Sequence, residues 1–368
     1  MRGSQPNQSG MFSFVSAEER VPANHPLRRI KRFADIALSR LSRDFDSIYS
    51  RVGRPSIPPE WLLKSQILMA LYSIRSDRLF CEMLDYNILF RWFLDMDMDG
   101  ASFDHSVFSK NRERLMEQEI AHRLLQEIVR LARTEELLSD EHFTVDGTLI
   151  EAWASLKSFK HRDAQTVKKT DDDQGNPTVD FHGEKRTNQT HSSTTDPEAR
   201  LMRKSRGTAA QLSYSGHVLM ENRNGLCVDI AIASATGTAE REAAIDMIRR
   251  ERQRGLRRMK TVGADKGYHA SDFIKKLRRL RIKPHIAVRE NKSAQGLDKR
   301  TTRHEGYAVS QRKRKLVEEI FGWFKSVGGL RKTKIRGVAM NQTVAYVVAA
   351  AYNLTRMVKL MPVKAAIT

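Results

Sequence analysis

The strongest constraint on this chain is a change of pattern near Ser139. Before it, apolar residues recur at helical spacing; after it, short apolar runs end on turns and alternate with amphipathic stretches. The first 140 residues read as helices: about 26–48, EWLLKSQILMALYSI behind Pro58 and Pro59, then 78–84, 87–93 and 105–133. The later order is a strand at 143–145, a hairpin of 212–220 and 225–233, a helix at 239–254 with Thr238 as cap, and the strand TVGAD. A helix at 271–280 capped by Ser271 or Asp272, a strand at 284–288, and helices at 310–327 and 342–360 complete it. Strand, hairpin, helix, strand, helix, strand, helix specifies a mixed α/β core and excludes a repeat protein. The division expected is a helical domain over 1–138 and an α/β domain over 139–368. Within the second, 157–207 is hydrophilic, contains DDDQGNP and reads as an inserted loop.

Charge narrows the partners. The chain carries 64 Lys+Arg against 44 Asp+Glu, a net +20. Residues 1–200 hold 28 basic and 31 acidic side chains, whereas 201–368 hold 36 and 13. The whole basic excess lies in the second part, densest over 249–336. Charge of one sign on that scale calls for a polyanion, and release of condensed counterions makes nucleic acid the expected one. No apolar run reaches the roughly 18–20 residues needed to cross a bilayer. The first residues lack a secretory layout, and two cysteines, Cys81 and Cys227, sit among apolar neighbours. Free thiols in a cytoplasmic, nucleoid-associated protein are expected.

Three acids stand out against this background. Asp146 follows the apolar run TV and Asp265 follows VGA. A carboxylate at the end of a buried strand is costly to desolvate without a cation, and sheet ends commonly carry α/β active sites. In QRKRKLVEEIFGWFKSV, a pitch of about 100° per residue puts Gln311, Arg314, Glu318, Gly322 and Lys325 on one stripe. Glu319 falls off that stripe. Three convergent carboxylates need cations, and hard oxygen donors select Mg2+ or Mn2+.

TVDGTLIEAWAS, GADKGYHA and RKRKLVEEIFGWFKSVGGLRKTKIRG resemble the three catalytic blocks of DDE transposases of bacterial insertion sequences, in the insertion-sequence-five group. The related four-group signature, Tyr-x2-Arg-x3-Glu-x6-Lys, is matched by Arg314, Glu318 and Lys325, with Gln311 at the Tyr position and Tyr307 one turn earlier. DFHGEKRTNQTHSSTTDPEARLMRK resembles the segment between the first two blocks, and 53–114 the helical domain before the core. The resemblance implies a ribonuclease-H-like mixed sheet flanked by helices. It implies an enzyme that binds terminal inverted repeats, cuts DNA strands and joins them to target DNA. Asp146, Asp265 and Glu318 would then hold two Mg2+ or Mn2+ ions. Double-stranded DNA would be contacted by Arg314, Lys325, Lys266, Arg331 and Lys332, with Trp323 stacking on a base or packing in the core. The protein would assemble on DNA as a homodimer or larger. His269 reads as a surface histidine. The alternatives are a DNA-binding protein of a decayed element and a host nuclease on the same fold.

Overall fold

The computed structural model describes residues 16–49, 52, 56–117, 119–162, 186–203, 208–236, 239–255, 259–288, 297 and 299–361. The helical part comprises α1 (Ala17–Arg20), α2 (Pro26–Arg40), α3 (Ser42–Ile48), α4 (Pro59–Leu71), α5 (Asp77–Tyr86), α6 (Ile88–Leu94), α7 (His105–Glu117) and α8 (Ile120–Thr134). Local chemistry sets these boundaries. Pro26 and Pro59 open α2 and α4, where a missing N–H costs nothing. The Ser76 and Asn87 side chains accept from Leu79 N–H and Phe90 N–H to cap α5 and α6. Two predicted helices are each split. The 26–48 helix turns at Leu41, whose N–H bonds Leu38 O, and 105–133 breaks at Glu119, where φ is 54°. A right-handed helix cannot run through that φ.

The second part begins with β1 (His142–Glu151), β2 (Phe159–His161), β3 (His191–Ser193), β4 (Arg200–Met202), β5 (Gln211–Glu221) and β6 (Cys227–Ser234). It continues through α9 (Ala239–Gln253), β7 (Thr261–Ala264), α10 (Ser271–Arg279) and β8 (Lys283–Ile286). It closes with α11 (Lys299–Arg303), α12 (Glu305–Lys313), α13 (Val317–Ser326) and α14 (Val338–Leu360). β5 pairs antiparallel with β1 on one side and with β6 and β4 on the other; β1 pairs parallel with β7, and β7 with β8. Strand order β6-β5-β1-β7-β8, with α9 and α10 as crossovers, is the mixed sheet of a ribonuclease-H-like core.

The inserted region is more ordered than its composition predicts. β2 and β3 form a two-stranded sheet, and Asp196 and Ala199 are almost fully buried, with Tyr214 O–H donating to Asp196. Residues 163–185 and 204–207 of that stretch, and Thr238, lie outside the described residues. The expected cap of α10 is also absent: Ala270 precedes the helix, and Asp272 instead pairs with Lys276 at 2.8 Å.

One helix joins the two parts. α14 is buried around most of its circumference and packs on β6, α8, α4 and α2. The apolar core therefore runs unbroken from Val21 to Met357. The pattern change near Ser139 is a change of secondary structure within one core. No helix among the described residues is long and apolar enough to cross a membrane.

Candidate active site

β1 does not end at Asp146 as its sequence suggests; it continues to Glu151, paired with β5 throughout. What ends is its other neighbour. Parallel pairing with β7 stops at Thr144↔Gly263, and β7 itself ends at Ala264. Asp146 and Asp265 therefore stand side by side where the two strands part. Each carboxylate holds a local backbone N–H: Gly147 N–H donates to Asp146 Oδ1 at 2.8 Å, and Gly267 N–H to Asp265 Oδ1 at 2.8 Å.

Alternation assigns faces to β1. Thr148 and Ile150 meet Phe321 and Phe324 of α13 in a crevice that Lys325 also borders. Asp146 shares that face. Gly147 looks the other way, toward α9. A Cβ on Gly147 would lie 3.0 Å from His217 Nδ1 and 3.4 Å from Glu240 Oε1. The tight contact is with the His217 ring, and the Glu240 carboxylate stands at ordinary van der Waals distance.

Charge at this edge is unbalanced. Burial pushes the Asp146 carboxyl up to about 6; the Gly147 N–H opposes this, Asp265 adds to it, Arg314 opposes and Glu240 adds. Glu240, though solvent-exposed, is also raised, by desolvation and by Asp265. The Arg314 guanidinium is 3.8 Å from Asp146 Oδ2, and its Nε is buried without a hydrogen-bond partner among the described residues. His217 beneath Gly147 is fully buried and pushed down to about 4, so it stays neutral. Tyr268 is 1% exposed and its hydroxyl has no hydrogen-bond partner among the described residues. Burial, then Glu240, Asp146 and Asp265, raise it well above the usual phenol range.

The other expected residues sit as follows. The predicted 310–327 helix is interrupted by a 3₁₀ turn, Arg314–Leu316, between α12 and α13. Three residues per turn there rotate α13 relative to α12, so the predicted stripe does not run straight. Arg314 turns in to Asp146, whereas Glu318 is exposed and makes no ion pair or hydrogen bond among the described residues. Glu319 is separated from it, paired with Arg356 of α14 at 3.3 Å. Tyr307 and Gln311 both donate to β8 carbonyls, of Ile286 at 2.9 Å and His285 at 2.5 Å. Lys266 is exposed directly after Asp265, and Arg331 is exposed. Lys332 Nζ is 2.5 Å from Glu151 Oε1. Trp323 packs edge-on against Phe324 and Tyr352, seating α13 on α14. His269 is buried, not a surface residue: it follows the turn that carries Tyr268 inward.

Among the described residues, no three His, Cys, Asp or Glu groups already stand at the spacing of a metal cage. Asp146 and Asp265 nonetheless fit a hard divalent cation: both offer oxygens, one is desolvated, and one loosely placed guanidinium faces them. Sequence reasoning missed Glu240 and Tyr268. An acid in the first turn of a helix is ordinary, because the helix dipole favours it, so nothing in TAEREAA marks Glu240.

Residues 15–114 match the family described as "Transposase domain (DUF772)", and residues 139–354 the family described as "Transposase DDE domain". No curated protein matches the chain. Solved structures similar to it include a pre-cleavage Mos1 transpososome, 11% identical, covering 88% of this chain and 84% of that one at a TM-score of 0.21. The Mos1 mariner paired end complex with Mn is 14% identical, with 91% and 89% covered at a TM-score of 0.20. Superpositions this loose add nothing to the sheet described above.

Proposed function

The chain belongs to the DDE transposase family, whose catalytic domain spans more than half of it, and from this premise we propose a site assignment and a reaction. Asp146, Asp265 and Glu318 are the acids of the site. The enzyme cuts DNA at the terminal inverted repeats of its element and joins the freed 3′-hydroxyl to target DNA. Two Mg2+ or Mn2+ ions bound by these acids would activate the attacking oxygen and stabilise the leaving one, as paired divalent ions do in phosphodiester chemistry.

The observation that carries this reading is the register of β1 and β7, which stops at Thr144↔Gly263 and leaves Asp146 and Asp265 two residues further on, where the strands part. It puts two carboxylates beside an opening in the sheet edge, with α13 above the same face. Glu318 lies on that helix, free of any competing ion pair among the described residues, whereas Glu319 is tied to Arg356. The side chains set up the DNA path. Arg314, already drawn to Asp146, orients a phosphate next to the acids. Lys325 borders the crevice on the same face, and Lys266 projects beside Asp265. Arg331 and Lys332 extend the basic surface past Glu151. Trp323, whose ring packs edge-on against Phe324 and Tyr352, is given a packing role in this reading. Assembly on DNA as a homodimer or larger follows from the need to hold two element ends.

The test uses purified protein, Mg2+ and duplexes carrying the element ends. Asp146→Asn, Asp265→Asn and Glu318→Gln are each expected to abolish cleavage and joining, and Glu319→Gln to leave both. Intact activity in the first three would overturn the assignment. Cleavage without joining would favour a nuclease.

A further inference from the structure

We propose that Glu240, in the first turn of α9, is a further carboxylate of the divalent-cation site that includes Asp146 and Asp265; this rests on the reading of those two residues given above. The topology brings it there. α9 is the crossover from β6 to β7, so its start rises at the edge where Asp265 follows β7. Glu240 Oε1 lies 3.4 Å from the position a Cβ would take on Gly147, the residue after Asp146. Its charge is felt at Asp146, and that of Asp265 is felt at Glu240.

A second, independent observation points to a ligand. Tyr268 is 1% exposed, its hydroxyl has no hydrogen-bond partner among the described residues, and Glu240, Asp146 and Asp265 all act on it. A buried O–H without an acceptor is costly and calls for an explanation. The three acids that act on it also repel one another. A hard cation drawing those carboxylates together gives the acids their counter-charge and the hydroxyl an acceptor. Arg314 lies 3.8 Å from Asp146, and Arg241 opposes the rise at Glu240 without reversing it. Glu240 has three side-chain torsions and is exposed, so a change of rotamer toward a cation is open to its carboxylate.

The test titrates the full-length protein, without DNA, with Mn2+, reading binding by calorimetry and by the paramagnetic resonance signal of free ion. Glu240→Gln is expected to weaken Mn2+ binding about 10-fold or more, within the range seen when groups supporting a metal are removed. Glu319→Gln should bind as the parent protein does. The cation-free melting temperature of Glu240→Gln should stay level or rise, because one of three mutually repelling acids is gone. A helix-start role would lower it and leave Mn2+ affinity unchanged, and that pair of results overturns the proposal. Glu240→Asp keeps the charge and the first-turn preference while shortening the arm. It is expected to fold normally and still lose affinity, and parent-like affinity in both variants overturns the proposal. If Asp146→Asn and Asp265→Asn also bind Mn2+ as the parent does, the reading of the site itself fails. If they lose binding and Glu240→Gln does not, only the assignment of Glu240 fails.

Discussion

α9 carries acids at both ends, and the two ends treat them in opposite ways. At its far end Asp229 of β6 is fully buried but well matched. Arg250 donates to Asp229 Oδ2 through Nη2 at 2.9 Å and Nε at 3.2 Å, and Ile230 N–H donates to Oδ1 at 2.8 Å. Glu251 is held by Arg254 at 3.1 Å, and Arg254 reaches His122 Nε2 at 3.0 Å. His122, stacked on Tyr346 at 4.3 Å, is pushed down to about 3 by burial and by the two arginines, so it accepts as a neutral ring. At its near end Glu240, Asp146 and Asp265 act on one another, and the Arg314 guanidinium stands 3.8 Å from Asp146. A buried acid with contacting cations is part of the scaffold. Acids left in excess at a strand edge are a place for something else to bind.

Each prediction strains that contrast, and the largest effects come first. Asp146→Asn and Asp265→Asn should remove strand cleavage while leaving the melting temperature level or higher, since burial already penalises the charged form of Asp146. A fall in stability comparable to that of a scaffold variant would erase the distinction. Arg250→Ala should do the reverse. It strands Asp229 without its partner, a loss of about 3–5 kcal/mol by denaturant titration.

The pH dependence of stability is the next largest effect. Glu251 is pushed up to about 7, first by burial and then by Asp229. Its folded value lies above its unfolded one, so its contribution is fully present below about pH 4.5 and is lost as pH rises through 7. His122 acts in the opposite sense. With a folded value below the unfolded one, its contribution is present above about pH 6.5 and is lost as pH falls toward 3. Glu251→Gln should therefore remove the decline between pH 5 and pH 8 seen in parallel denaturation curves. A decline unchanged in that variant would mean that Glu251 does not titrate there.

The smallest effect tests the basic surface. Arg331→Ala should change stability by no more than about 0.5 kcal/mol. It should lower the slope of DNA affinity against salt by about 1, as expected for one phosphate contact. An unchanged slope would take Arg331 out of the DNA path.

Legibility in the sequence follows the range of the interactions. The apolar run before Asp146, the VGA before Asp265 and the ENRNG turn report strands because pleat and turn chemistry act over a few residues. The continuation of β1 past Asp146 was not legible: an acid followed by a glycine and a threonine looks like a strand end until β5 pairs along them. The helical stripe through Arg314, Glu318 and Lys325 is bent for a related reason. It assumes a constant pitch, and the 3₁₀ turn at 314–316 changes the pitch in the middle of the motif. The hydrophilic composition of 157–207 hid Asp196 and Ala199, whose burial depends on Tyr214 and on strands far away in the chain.

The sequence by itself determined the division into helical and mixed parts, the basic charge of the second part, and the two aspartates that end up adjacent. Those properties reside in composition and in spacing along one strand or helix. Only the tertiary structure decided that β7 stops short beside Asp146, that Glu240 arrives over Gly147, and that Glu319 is tied to Arg356 while Glu318 is not. Each of those outcomes is a meeting of segments that are remote in the chain. Strand register and helix approach are set by how the whole core packs, and no local pattern encodes them.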